Sequence, residues 1–213
     1  MKVISYVTGP IQVNTYLAYD EETNKGFIVD PGDYSPKLSK QAMDLGLDIE
    51  YIILTHGHGD HIGGVERFKR DFEGAKVVAH EKEKEMHENA DLNCSAEMFP
   101  KPITLEADIW VKGGDTLKVG NMELHSIHTP GHTKGGMCIY VDGNLFSGDT
   151  LFRYSIGRTD FYGGDFEALM NSIKKRLFTL PDDTVVLPGH MGVSTIGDEK
   201  RGNPFVYYHY KEC

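Results

Sequence analysis

The sequence predicts a layered α/β fold. Two observations carry the prediction. Short apolar runs rich in β-branched and aromatic residues stop abruptly at turn chemistry, and the segments between them have the spacing of amphipathic helices. The 213 residues are 39% hydrophobic and 25% charged, a composition that can bury a sizeable core.

Residues 3–7, 16–19 and 27–29 read as a meander with short turns, which makes the expected sheet mixed rather than purely parallel. Phe27-Ile28-Val29 runs into Asp30-Pro31-Gly32, and Tyr51-Ile52-Ile53-Leu54 runs into Thr55-His56-Gly57-His58. Leu38, Ala42 and Leu45 form one helical stripe, and Ile62, Val65, Phe68 and Phe72 form a second. Residues 81–88 (EKEKEMHE) read as a solvated helical face. The runs 138–141 and Leu145-Phe146 lead to Ser147-Gly148-Asp149, and Val185-Val186-Leu187 leads to Pro188-Gly189-His190. Phe166, Leu169, Met170, Ile173, Leu177 and Phe178 mark a further helix, with Asp165 placed as its N-cap and Lys174-Lys175-Arg176 near its C-terminal end.

Lys and Arg total 22 against 32 Asp and Glu, a net charge of −10, which argues against a nucleic-acid or anionic-membrane surface. No run approaches the roughly 18 apolar residues of a membrane span. The opening MKVISYVTGP lacks the order of a signal peptide, so a cytoplasmic chain is expected. Cys94, Cys138 and Cys213 are irregularly spaced and read as reduced thiols, Cys138 within the core.

The segment Thr55-His56-Gly57-His58-Gly59-Asp60-His61 places three imidazoles and a carboxylate directly after a buried strand. Imidazole nitrogen and carboxylate oxygen suit borderline divalent metals, and the intervening glycines permit a turn that aims the side chains at one point. His132 in Thr129-Pro130-Gly131-His132-Thr133, Asp149 and His190 each follow an apolar strand, where a rigid sheet presents functional groups. Together they supply five His and two Asp, enough for two metals. His80, His87, His125, His128 and His209 fall outside the pattern and are treated as non-ligands.

This combination of HGHGDH with downstream GHT, GDT and PGH resembles the metallo-β-lactamase superfamily. The resemblance implies a four-layered αββα sandwich with two mixed sheets over residues 1–213, as one domain. It implies that His56, His58 and His132 hold a first metal, that Asp60, His61 and His190 hold a second, and that Asp149 bridges both. Two divalent cations are expected, zinc first, with iron or manganese as alternatives. Asp60 is the expected catalytic group, accepting a proton or orienting hydroxide. Asp30 either orients the ligand loop or is a simple turn aspartate.

The stretch Gly148-Asp149-Thr150-Leu151-Phe152, continued by residues 155–162, resembles the thioesterase branch of glyoxalase II. It implies hydrolysis of thioesters such as S-lactoylglutathione, with Arg158 and Tyr162 binding a small anionic acyl thiol. For Arg158 the other reading is an ion pair with Asp160. The C-terminal helical domain that binds glutathione in glyoxalase II is expected to be missing, and Lys134 faces either an anionic substrate or solvent. Two alternatives accompany the hydrolase: a persulfide dioxygenase using one iron at His56, His132 and Asp149, and a metal-bearing scaffold without turnover. The aromatic tail from Asn203 to Tyr210 packs either on the domain or on a partner subunit, leaving a homo-oligomer open.

Overall fold

The computed structural model describes residues 1–209; Tyr210 and Cys213 lie outside the described residues, as do the side chains of Tyr208 and His209. Among the described residues two six-stranded sheets form. The first runs in chain order: β1 (Lys2–Thr8), β2 (Val13–Tyr19), β3 (Lys25–Val29), β4 (Asp48–Ile53), β5 (Lys76–His80) and β6 (Ile109–Val111). Strands β1 to β3 are the expected antiparallel meander, and β3 to β6 pair in parallel. In the second sheet β7 (Thr116–Val119), β8 (Met122–His128), β9 (Met137–Val141) and β10 (Asn144–Gly148) pair antiparallel in sequence. A hairpin of β11 (Leu151–Phe152) and β12 (Ser155–Ile156) follows. Strand β13 (Val185–Pro188) then pairs in parallel with β10, and β14 (Ser194–Thr195) closes that edge.

Three apolar clusters stack these sheets into layers. Between the sheets, Tyr16, Phe27, Val29, Ile53 and Val78 of the first meet Leu124, Met137, Ile139, Phe146 and Leu187 of the second. The opposite face of the first sheet, with Leu17, Ile28, Ile52 and Val77, is covered by helices α1 (Pro36–Asp44), α2 (Gly59–Ile62) and α3 (Val65–Asp71), through Leu38, Ala42, Ile62, Val65 and Phe68. After α4 (Lys84–His87) and α5 (Ser95–Met98), the outer face of the second sheet is covered by α6 (Phe166–Ser172), α7 (Ile196–Gly202) and α8 (Pro204–His209). Leu169, Met170, Ile196 and Val206 there meet Cys138, Leu145 and Val186. The result is the expected four-layered αββα sandwich. Strands buried on both faces read as continuous apolar runs, which is why β3, β4, β9, β10 and β13 were legible. Cys138 is a core residue, its thiol pushed up to about 11 by burial.

Four local expectations need correction. Leu45 is the C-cap of α1 and 38% exposed, so the α1 stripe ends at Ala42. The second stripe is broken into α2 and α3, because the Gly64 amide donates to the Pro31 carbonyl (2.7 Å) and docks the chain on the loop after β3. Asp165 does cap α6, accepting from the Ala168 amide, but Phe166 is 41% exposed and the helix loosens into a π-turn over Ile173–Leu177. Residues 81–88 are not a solvated face, for Glu83, Met86 and His87 are buried.

Among the described residues no helix is long and apolar enough to cross a membrane. Phe146 anchors the inter-sheet layer, its ring edge-on to Tyr16 (5.4 Å) and Phe27 (5.7 Å). Phe146→Ala is expected to cost about 3–5 kcal/mol in urea unfolding, whereas the exposed Leu45→Ala should stay within about 0.5 kcal/mol.

Candidate metal centre

Turns from both sheets converge at one edge of the sandwich. The turn after β4 carries His56 and His58 and runs into α2 with Asp60 and His61, the turn after β8 carries His132, and those after the parallel pair β10 and β13 carry Asp149 and His190. Backbone bonds clamp the edge across the sheets: the Met137 amide donates to the Thr55 carbonyl (2.8 Å) and the Asn14 amide to the Gly189 carbonyl (2.7 Å). The Tyr16 hydroxyl donates to the Pro188 carbonyl (2.7 Å). Neither Gly57 nor Gly59 lies in the left-handed region, so the turn does not depend on a backbone conformation reserved for glycine. Glycine is required there by close neighbours instead, since a Cβ would approach His87 Cδ2 to 2.6 Å at Gly57 and Ser95 Cα to 2.9 Å at Gly59.

The site is built outward from Asp30, which lies at φ 47° and is buried. Its Oδ1 accepts from the Thr55 amide (2.8 Å), and its Oδ2 accepts from the Thr55 hydroxyl (2.6 Å) and from His61 Nδ1 (2.9 Å). Of the two readings of this residue, the orienting one describes these bonds. With its only proton given to Asp30, the Thr55 oxygen accepts from His56 Nδ1 (3.1 Å). His132 Nδ1 donates in turn to the Arg158 carbonyl (2.7 Å). His56, His61 and His132 therefore all present Nε2 to the interior.

Those inward nitrogens and the carboxylates form two sets. In the first, His132 Nε2 stands 3.3 Å from His56 Nε2 and 2.9 Å from His58 Nδ1. Burial, reinforced by neighbouring imidazoles, holds His56 well below the usual histidine range and pulls His58 down to about 3. Burial lowers His132 as well. With Nδ1 of each engaged outward, His56 and His132 turn Nε2 toward each other, in a setting where burial disfavours the charged form of all three rings. In the second set, Asp60 Oδ2 lies 3.2 Å from His190 Nε2 and 3.4 Å from His61 Nε2. Burial works against charge here, yet Asp60, Asp149 and Asp30 outweigh it and raise His61 well above its usual range. For the same reason His61 and His190 hold the Asp60 carboxyl below its usual range despite burial. Asp149 joins the sets: Oδ1 is 3.3 Å from His61 Nε2, and Oδ2 is 3.7 Å from both His132 Nε2 and His190 Nε2.

These residues fit divalent cations. His58 Nε2, His61 Nε2 and Asp149 Oδ1 are buried without a hydrogen-bond partner. Donor atoms of His56, His58 and His132 cluster within 4.8 Å of one another, as do those of Asp60, His61 and His190. Donor spacings near 3.3 Å are the edges of a tetrahedron with metal–ligand distances of about 2.0–2.1 Å. All seven side chains singled out in the sequence are thus brought together. His80, His125 and His128 are not among them: His128 stacks on His80 at 4.2 Å and bonds to the Lys134 carbonyl, and His125 bonds to Thr116.

At the rim, Arg158 makes a bidentate pair with Asp160 (2.7 Å for both bonds), and its guanidinium lies 3.8 Å over the Phe161 ring. Phe161 in turn meets His58 edge-on at 5.6 Å. The Tyr162 hydroxyl donates to Glu85 (2.6 Å) and accepts from Lys134 (2.6 Å), so Lys134 bonds to neighbouring side chains instead of extending freely. Glu85 went unnoticed in the sequence because nothing in its charged run distinguishes it.

Residues 8–190 match the family model of the metallo-beta-lactamase superfamily. A relative from Haemophilus influenzae, named hydroxyacylglutathione hydrolase GloC, is 36% identical over 198 residues, covering 92% of this chain and 93% of its own. The crystal structure of BLEG-1 B3 metallo-beta-lactamase superposes with a TM-score of 0.89 at 37% identity, covering 96% and 99% of the two chains. That of TTHA1623 in a di-iron-bound form gives 0.83 at 36% identity, covering 95% and 99%.

Asp30→Asn removes the anionic acceptor of His61 while leaving the fold's core untouched. It is expected to weaken binding of divalent cation about 10–100-fold, measured by competition with a chromogenic chelator. Affinity equal to wild type would mean that Asp30 does not orient His61.

Proposed function

The chain belongs to the metallo-β-lactamase superfamily, and we propose that it holds two divalent cations and hydrolyses small thioesters. The observation that carries this reading is the sharing of Asp149 between two donor sets, one of three imidazoles and one of Asp60, His61 and His190. A carboxylate shared in this way would help hold both cations. When bound, the pair supplies a water acidified to near-neutral pKa and a Lewis acid for the acyl carbonyl.

The chain's own groups then have distinct tasks. Asp30, Thr55 and the Arg158 carbonyl hold Nδ1 of His61, His56 and His132, so that Nε2 of each faces inward. Asp60, kept anionic by His61 and His190, accepts a proton from attacking water or holds it in line. His190 is the most exposed of the five imidazoles (21%), which puts the approach of substrate on its side. Water adds to the acyl carbon, the carbon–sulfur bond breaks, and carboxylic acid and thiol leave.

The thioester class is supported by the name of the Haemophilus influenzae relative and by rim residues suited to an anionic acyl thiol. Arg158 is the proposed grip. Its pair with Asp160 is exposed, and exposed pairs are worth about 0–1 kcal/mol, so a substrate carboxylate can replace Asp160 at small cost. Tyr162, bonded to Lys134 and Glu85, is the second proposed contact. Zinc is the proposed metal, and the di-iron form of a structural neighbour keeps iron beside it. The free thiols Cys94 and Cys138 accord with a reducing, cytoplasmic setting.

Elemental analysis of purified protein, run beside hydrolysis of S-lactoylglutathione and simpler thioesters, tests the reading. Two cations per chain and metal-dependent release of thiol are expected. One iron per chain with thiol-dependent oxygen uptake would overturn it in favour of dioxygenase chemistry. His58→Ala or Asp149→Ala should reduce kcat by more than the roughly 10–100-fold that loss of an orienting partner costs, with circular dichroism unchanged. Arg158→Ala should raise KM for anionic thioesters about tenfold and leave neutral ones nearly unaffected; an equal rise for both would remove its role.

A further inference from the structure

Glu83 lies in the acidic and basic run 81–88, yet it is 1% exposed. Its Oε2 accepts the Gly57 amide proton (2.7 Å), and its Oε1 accepts that of Gly135 (2.6 Å). Gly57 sits between His56 and His58 on the turn leaving the first sheet. Gly135 follows His132 on the turn leaving the second. One carboxylate, with both oxygens engaged, therefore spans the two turns whose three imidazoles form the first donor set.

The neighbourhood fixes this bridge in place. The 3₁₀ turn Glu81–Glu83 passes directly into α4, whose Met86 and His87 are buried. His87 packs against the bare face of Gly57, where a Cβ would also come within 3.1 Å of Glu83 Oε2. Bonds from amide protons to a carboxylate are short and strong, and both glycines are buried, so each amide needs a protein acceptor. A shift of one turn against the other would alter the 2.9 and 3.3 Å spacings between His132 and its two partners.

We propose that Glu83 is a positioning residue that sets the spacing of the His56–His58 turn against the His132 turn, and so the cation affinity of that donor set. The proposal rests on the metal reading of the site. It assigns no contact with substrate to Glu83, which separates it from Arg158 and Tyr162.

Glu83→Gln and Glu83→Ala test it. The glutamine keeps one acceptor and turns an N–H toward the other amide; the alanine removes both. Three measurements apply: hydrogen exchange of the Gly57 and Gly135 amides in metal-free protein, stoichiometry and affinity for zinc, and kcat and KM for a thioester. Exchange at both amides should accelerate on the order of tenfold or more. One of two zinc equivalents should weaken about 10–100-fold while the other holds. The kcat should fall with KM unchanged, the glutamine variant lying between alanine and wild type. If the alanine variant does not fold, the near-isosteric glutamine decides. Two zinc ions bound as tightly as in wild type, with unaltered exchange, would overturn the role of Glu83 and leave the metal reading standing. Wild-type protein that binds no zinc would overturn the metal reading itself, and amide exchange alone would then decide whether Glu83 couples the turns.

Discussion

Facing imidazole nitrogens are the constraint on which this edge of the molecule depends. His56 and His132 have each committed Nδ1–H outward, to Thr55 and to the Arg158 carbonyl, and burial disfavours a second proton on either ring. Their Nε2 atoms face each other 3.3 Å apart, with His58 Nδ1 2.9 Å from that of His132. Nearby, Asp60 and Asp149 crowd His61 with negative charge. A divalent cation would answer the first of these arrangements and displace the proton that the carboxylates draw onto His61, and a polar pocket this deep would otherwise be costly to maintain.

The sandwich exists in a form that can bear that cost. Phe27, Phe146 and Tyr16 lock the two sheets together beneath the site, and bonds from Met137, Asn14 and Tyr16 stitch the sheets at its rim. Parallel pairing of β3 with β4 and of β10 with β13 sends Asp30 and Thr55 out together on one sheet and Asp149 and His190 on the other. Converging groups held by such a frame are preorganised, which is where charge stabilisation is most effective.

What was legible in the sequence follows from what each residue bonds to. His56, His58, Asp60 and His61 could be read because they are neighbours in the chain, and His132, Asp149 and His190 because each closes a strand that its apolar run announces. The layered fold followed from the same runs. Asp30 stood between two readings until distances to Thr55 and His61 were known. Glu83 was invisible, since its partners are backbone amides that no residue type advertises and its charged neighbours suggest solvent. Arg158 and Tyr162 were found, but their pairing with Asp160, Lys134 and Glu85 is set by loop geometry that local pattern does not encode. The break between α2 and α3 likewise comes from a contact with Pro31 far away in sequence.

The most direct measurement is anomalous diffraction from crystals grown with zinc, collected on both sides of its absorption edge. Two peaks are expected, one among His56, His58 and His132, the other among Asp60, His61 and His190, with Asp149 touching both. A single peak elsewhere on the molecule, or none at this edge of the sandwich under saturating zinc, would contradict the proposed centre.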